Sequence, residues 1–241
     1  MSNQEDYRHK NYLTMKLNRM ILGAVMFMAA SVTYAQQPAA DANEKGTPQQ
    51  AELFSMAGQL VKYGHQTKSA LPLIQALQIY KSLNVTTASD EGTKVTEGME
   101  NASVSQSKTD VVGFNEEQLL ADATKYAEGN KSLLALIADA KKSTRGAYSG
   151  PVRRESRVDA QTTDIWTIKF RGGEDAYVVV SGDGDTDLDL YIYDENGNLI
   201  DSDTDSSDDC VCSFRPRWTG NFRIKIKNLG YVYNRYILAT N

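Results

Sequence analysis

From about Val158 to the end of the chain, apolar residues recur at every second position. Trp166, Ile168 and Phe170 interleave with Ile165, Thr167 and Lys169, and Leu188, Leu190 and Ile192 interleave with Asp187, Asp189, Tyr191 and Tyr193. Successive side chains of a strand point to opposite faces, so this period supplies one face for a core and one for water. Tyr177 to Val180 is apolar throughout. Leu199-Ile200, Cys210 to Phe214, Phe222 to Ile226 and Tyr231 to Leu238 read as further strands, and Asn196-Gly197 is a hairpin turn signal. Short strands of this number, separated by turn residues, predict an antiparallel β-sandwich or jelly roll over 158–241.

Upstream the period is helical. Thr47-Pro48 opens a segment in which Leu53, Met56, Ala57, Leu60 and Val61 share a face, and Gly64 reads as its stop. A second helix is expected from about Ser69 to Leu83, with apolar residues on more than one side. Asn115 caps a third beginning Glu116-Glu117-Gln118, Gly129-Asn130 breaks it, and a fourth follows from about Lys131 to Lys142. The expected fold class is therefore α+β and multidomain: N-terminal helical hairpins followed by an antiparallel sandwich. The helical domain spans 47–142. Within it, 84–110 is rich in Ser, Thr, Gly, Glu and Asp and reads as a mobile linker; 143–157, with Gly146, Gly150 and Pro151, reads as the link between domains.

The first 35 residues read as a signal peptide. Lys10, Lys16 and Arg19 precede an apolar run, Met20 to Ala35, that is shorter than the ~20 residues a spanning helix needs. Thr33 and Ala35 suit cleavage before Gln36, leaving 36–46 as a flexible mature N-terminus and a secreted or periplasmic product without a stable membrane span. Met15 is an alternative start that gives a more usual leader. Export implies an oxidising compartment, yet the two cysteines, Cys210 and Cys212, sit at a spacing that leaves three readings open: two small core residues, a strained disulfide, or a soft-metal pair.

The formal charge of −5 is unevenly spread. Between Arg171 and Arg215 lie 13 acidic residues and no Lys or Arg, so the remainder of the chain carries −5 + 13 = +8. Such a block is either a solvated acidic rim or a cation site, and it argues against nucleic acid as a partner. Asp183, Asp185, Asp187, Asp189, Asp194, Asp201 and Asp203 are the candidate ligands. Crowded carboxylates repel one another, and Ca2+ takes 6–8 oxygen ligands of this kind. The helix-loop-helix calcium pattern fails, because Leu188 stands where its central Gly belongs and the surroundings are strands.

The same residues carry a family resemblance. GDGDTDLDLYIYD (182–194), WTGNFRIKIKN (218–228) and YNRYILATN (233–241) resemble the bacterial pre-peptidase C-terminal domain family, over about 159–241. The resemblance implies a calcium-assisted, non-catalytic accessory module that binds polymer or protein surfaces, and it carries metal ligation over to Asp187 and Asp189. The helical region ahead of it resembles no enzyme family.

Catalytic signals are few. Past the expected cleavage the chain has one histidine, His65, placed in a turn after Gly64; there is no G-x-S-x-G, H-E-x-x-H or phosphate loop. The expectation is a non-enzymatic accessory or interaction protein. The alternatives are a carbohydrate-binding module using Tyr191, Tyr193, Tyr231, Tyr233, Tyr236, Trp166 and Trp218, or a hydrolase using Asp187 or His65.

Overall fold

A computed structural model describes residues 48–88, 93–98, 115–142 and 150–241. The expected signal, its cut and the polar segment 36–46 lie outside these residues, as do 89–92, 99–114 and 143–149. The described residues make one unit. Four helices come first or are interleaved with two short strands: α1 (Pro48–Thr67), α2 (Ala70–Ser82), β1 (Thr86–Thr87), β2 (Thr93–Gly98), α3 (Glu116–Tyr126) and α4 (Lys131–Lys142). Eight strands follow: β3 (Val152–Val158), β4 (Thr162–Phe170), β5 (Ala176–Ser181), β6 (Leu188–Tyr193), β7 (Leu199–Asp203), β8 (Asp209–Phe214), β9 (Gly220–Asn228) and β10 (Asn234–Thr240).

The strands form two five-stranded sheets, one in the order β1-β3-β10-β5-β8 (sheet A) and the other β2-β4-β9-β6-β7 (sheet B). Within β3 to β10, every connection crosses between sheets except the β6–β7 hairpin at Asn196-Gly197. That strand order is the jelly roll. Inward residues of both sheets build one core: Val178, Val180, Cys210, Cys212 and Leu238 from sheet A against Trp166, Ile168, Leu190, Ile192, Phe222, Ile224 and Ile226 from sheet B. Both cysteines are free and buried in it, packed as small core residues and not joined by a disulfide.

A second core lies on the other side of sheet A. Tyr177, Val179, Ile237 and Ala239 meet Phe54, Ala57 and Val61 of α1 and Leu73, Ile74, Leu77 and Tyr80 of α2, with α3 and α4 packed outside. This explains why Tyr177–Val180 is apolar without alternation: the strand is covered on both faces. The helix approaches closely at Gly58, where an added Cβ would lie 2.2 Å from Ser181 Oγ. The helices thus share a core with the sandwich instead of standing as a separate domain.

Three boundaries differ from expectation. The stretch 84–110 is not linker throughout, because β2 pairs along its length with β4 at the edge of sheet B. Its pattern lacks large apolar residues because its inward side chains serve a buried carboxylate. Lys94 Nζ lies 3.0 Å from Asp164 Oδ2 and Thr96 Oγ1 donates to Asp164 Oδ1 at 2.7 Å. Asp164 is fully buried, so these partners, with Tyr236 O–H at 2.7 Å, compensate its desolvation. The expected interdomain link 143–157 likewise ends in β3, paired with β10 from Val152 to Val158. VRRESRV is too charged to reveal its period of two. Finally, α1 continues through Gly64 and His65 to Thr67, and the break falls at Lys68, whose φ is 50°. Gly64 serves close packing, since a Cβ there would meet Leu73 Cδ2 at 2.5 Å.

Candidate functional site: the acidic loops and the open sheet

The expected carboxylates are distributed among several tasks. Asp194 holds the β6–β7 turn: its Oδ1 accepts from Asn196 N at 2.9 Å and Asn198 N at 2.8 Å, and its Oδ2 from Asn198 Nδ2 at 2.8 Å. The Asn198 amide and the turn's backbone N–H groups hold its pKa below the ordinary carboxylate value, against the opposing effect of burial. Asp201 and Asp203 turn toward sheet A, although they lie on a strand of sheet B. Asp203 Oδ2 accepts from Val211 N at 2.8 Å and Asp201 Oδ2 from Ser213 N at 3.0 Å. Those two N–H groups belong to β8, the edge of sheet A. The two carboxylates therefore satisfy donors that an edge strand leaves open, and they tie the sheets together at that edge.

Asp183 accepts from Arg235 N at 2.8 Å, and Asp185 is exposed on the β5–β6 loop. Asp189 faces outward from β6 opposite Lys227 and accepts the Tyr191 hydroxyl at 3.0 Å. Asp187 is different. Its Oδ1 is buried without a hydrogen-bond partner, and burial followed by the charges of Asp189, Asp205 and Asp208 pushes its pKa up. The seven expected ligands thus have different neighbours, and among the described residues no three of His, Cys, Asp and Glu converge as a metal-holding group.

Two acids that sequence reasoning left out of the candidate set, Asp208 and Asp209, have the most consequential partner. Lys62 of α1 inserts its ammonium between them, 2.8 Å from Asp208 Oδ1 and 2.7 Å from Asp209 Oδ2, with all three side chains largely buried. Burial lowers the Lys62 pKa, but the charges of Asp209 and Asp208 outweigh it and raise it overall. Asp208 Oδ2 also accepts from Gly184 N and from Asn234 Nδ2, the latter at 3.1 Å. Nothing local in the sequence points from position 62 to position 208. His65 rests against Tyr126, with Nδ1 3.2 Å from the hydroxyl. Burial lowers its pKa against the pull of Asp122, and it meets none of the loop acids.

The aromatic set also divides. Trp166 and Tyr236 are buried partners, Trp166 Nε1 donating to Tyr236 Oη at 2.7 Å. Tyr233 is buried under Arg157, while Trp218 stacks on Phe222 with 38% of its surface exposed. Tyr231 is 87% exposed on the β9–β10 loop. Tyr191 and Tyr193 remain together on the outer face of sheet B, their rings 6.5 Å apart and inclined by only 28°. The Lys225 ammonium lies 5.5 Å from the Tyr193 centroid.

Register defines the rest of that face. One row across the sheet is Tyr193, Arg223, Thr167 and Thr93; the next is Tyr191, Lys225, Ile165 and Val95; the next is Asp189, Lys227, Thr163 and Glu97. Lys169 pairs with Asn221 at one end. The helices pack on sheet A, and Val95 on this opposite face is 56% exposed. Beside Lys169 and Asn221 a polar cleft of about 580 Å³ opens between the sheets, lined also by Arg154, Thr167, Thr240 and Asn241.

No family model and no curated protein matches the chain. Among solved structures it is similar to a periplasmic inhibitor of g-type lysozyme from Aeromonas hydrophila, at 12% identity and a TM-score of 0.30, over 38% of this chain and 84% of that one. It is also similar to the pre-peptidase C-terminal domain of a Bacillus anthracis collagenase, at 10% identity and a TM-score of 0.29, over 38% and 89%. A third is a carbohydrate-binding module of Cellvibrio mixtus lichenase 5A in complex with cellotriose, at 10% identity and a TM-score of 0.24, over 39% and 87%.

Proposed function

We propose that the chain is an exported, non-catalytic accessory module that binds a partner through the outer face of sheet B. One observation carries this reading. Sheet A has a core on each face, whereas sheet B has one core and an outer face that presents two near-parallel tyrosines beside a basic strand. Tyrosine and arginine supply much of the energy of binding surfaces, because they combine large apolar area with fixed polar groups. In support, the His65 ring rests against Tyr126 and meets none of the loop acids, while Asp194, Asp201, Asp203, Asp208 and Asp209 are engaged by backbone donors, Asn198 or Lys62. The test is chromatography of the full chain over immobilised cell-envelope polysaccharide and protein, with the eluate assayed for released fragments. Retention that disappears in Tyr191→Ala/Tyr193→Ala at unchanged melting temperature is the expected result. Release of reducing ends or peptides, or retention indifferent to the two tyrosines, contradicts the reading.

A second reading, calcium at the acidic loops, has one specific support: the buried, unpartnered Asp187 Oδ1 beside Asp189, Asp205 and Asp208. Asp187 and Asp205, with loop carbonyls, are the groups that would hold the ion, and it would supply charge neutralisation there. A ligand bound only by the folded state raises its melting temperature. An identical melting temperature in chelator and in millimolar calcium removes this reading.

A further inference from the structure

The sheet-B face has a charge pattern that points to a class of partner, and the following rests on the binding-module reading above. We infer that this face binds an acidic polysaccharide, a polyuronate in particular. Arg223, Lys225 and Lys227 stand on one side of β9, each two residues from the next, and Lys169 extends the row on β4. Side chains two residues apart on a strand are roughly 7 Å apart, so the three on β9 span about 14 Å. This basic ladder sits in a domain with 13 acidic residues between Arg171 and Arg215, nine of them in loops, so it is a local reversal of sign and not a general cationic surface.

Three features select a sugar polymer over other anions. Tyr191 and Tyr193 offer two near-parallel rings 6.5 Å apart, aromatic surface for the apolar faces of sugars, and Ile165 and Val95 continue the apolar strip across the sheet. Hydroxyl and amide groups surround this strip, namely Thr93, Thr163, Thr167 and Asn221, and these pair with sugar hydroxyls. The ladder is partly offset by Glu97, 3.9 Å from the Lys225 ammonium, and by Asp189 opposite Lys227, so its excess positive charge is modest. Four cations against two carboxylates match a polymer with one carboxylate per sugar. They do not match the charge density of nucleic acid, whose duplex carries one charge per about 1.7 Å. The cleft beside Lys169 and Asn221, with Arg154 in its wall, continues the cationic track between the sheets.

The test is isothermal calorimetry of the full chain with oligogalacturonate, with a neutral linear β-glucan of equal length and with a single-stranded oligonucleotide as comparators. Chelator is present throughout, so that calcium bridging plays no part. The expected result is binding to oligogalacturonate that weakens with salt. Arg223→Gln/Lys225→Gln weakens it about tenfold or more, which corresponds to about 1.4 kcal/mol, and Tyr191→Ala/Tyr193→Ala does likewise. Both variants keep the parent melting temperature, since all four residues point to solvent-facing positions. Glucan binding that needs the tyrosines but ignores Arg223 and Lys225 overturns the acidic-polymer assignment, and so does preference for the oligonucleotide or no binding to oligogalacturonate. If envelope retention through Tyr191 and Tyr193 persists in any of those cases, the broader reading stands. If that retention is also absent, the two fall together.

Discussion

The two sheets of this sandwich have five strands each, yet they differ in company and composition. Sheet A lies between the helices and sheet B, and its central strands lose their alternation: all six residues of β5 are buried. Sheet B has the shared core on one side only, and β9 alternates Phe222, Ile224 and Ile226 with Arg223, Lys225 and Lys227. The same fold therefore contains a structural sheet, whose strands β5 and β10 are committed to packing on both faces, and a presenting sheet, whose outward side chains are at liberty to serve binding. Substitutions in sheet A's helix-facing core should therefore alter stability, and those on sheet B's outer face should alter binding.

The largest effect is expected where α1 meets sheet A. Phe54→Ala removes a fully buried ring that packs edge-on against Tyr80 at 5.1 Å, and a loss of about 3–5 kcal/mol in chemical denaturation is expected. Loss below about 1 kcal/mol would mean that the helices are not part of one cooperative core. Next comes Lys62→Met, which leaves Asp208 and Asp209 buried without their cation; about 3 kcal/mol is expected, and Asp209→Asn on that background recovers part of it. The same pair sets an alkaline limit. Because the Lys62 pKa is raised on folding, its contribution is complete below the ordinary 10.5 and fades as pH rises through the higher folded value. A thermal scan against pH should show an alkaline decline that is shallower in Lys62→Met.

Asp201→Ala and Asp203→Ala probe the seam between the sheets. Each strips an acceptor from a β8 edge N–H, and about 1 kcal/mol apiece is expected. If these residues were instead chiefly calcium ligands, the loss would vanish in chelator. Smallest are Tyr191→Ala and Arg223→Gln on the presenting sheet, expected to change stability by less than about 0.5 kcal/mol. A larger loss in these two would show that sheet B's outer face is committed to packing after all.

How much of this was legible residue by residue follows from how local each signal is. The alternation in Trp166–Phe170 and Phe222–Ile226 and the turn at Asn196-Gly197 are visible because strand period and turn chemistry act within a few residues. The Asn115 cap is legible for the same reason, its Oδ1 accepting from Glu117 N at 2.9 Å. β2 and β3 escaped because polar side chains hold them: Lys94 and Thr96 are kept by Asp164, about 70 residues away, not by apolar burial. The acidic block suggested a single cluster because strand alternation places Asp187, Asp189, Asp201 and Asp203 near one another, while composition is silent about which backbone donors compete for them.

By itself the sequence determined a helical half and a sandwich half, the position of the main turns, and an acidic surface, since period, capping and charge are properties of neighbouring residues. The tertiary structure decided which face of each strand is covered, that Asp201 and Asp203 fasten one sheet to the edge of the other, and that Lys62 reaches across 146 residues to Asp208. Those outcomes depend on close approach between distant segments. There a buried carboxylate takes whichever donor the packing brings within about 3 Å, because leaving it unpaired costs more free energy than any local preference supplies.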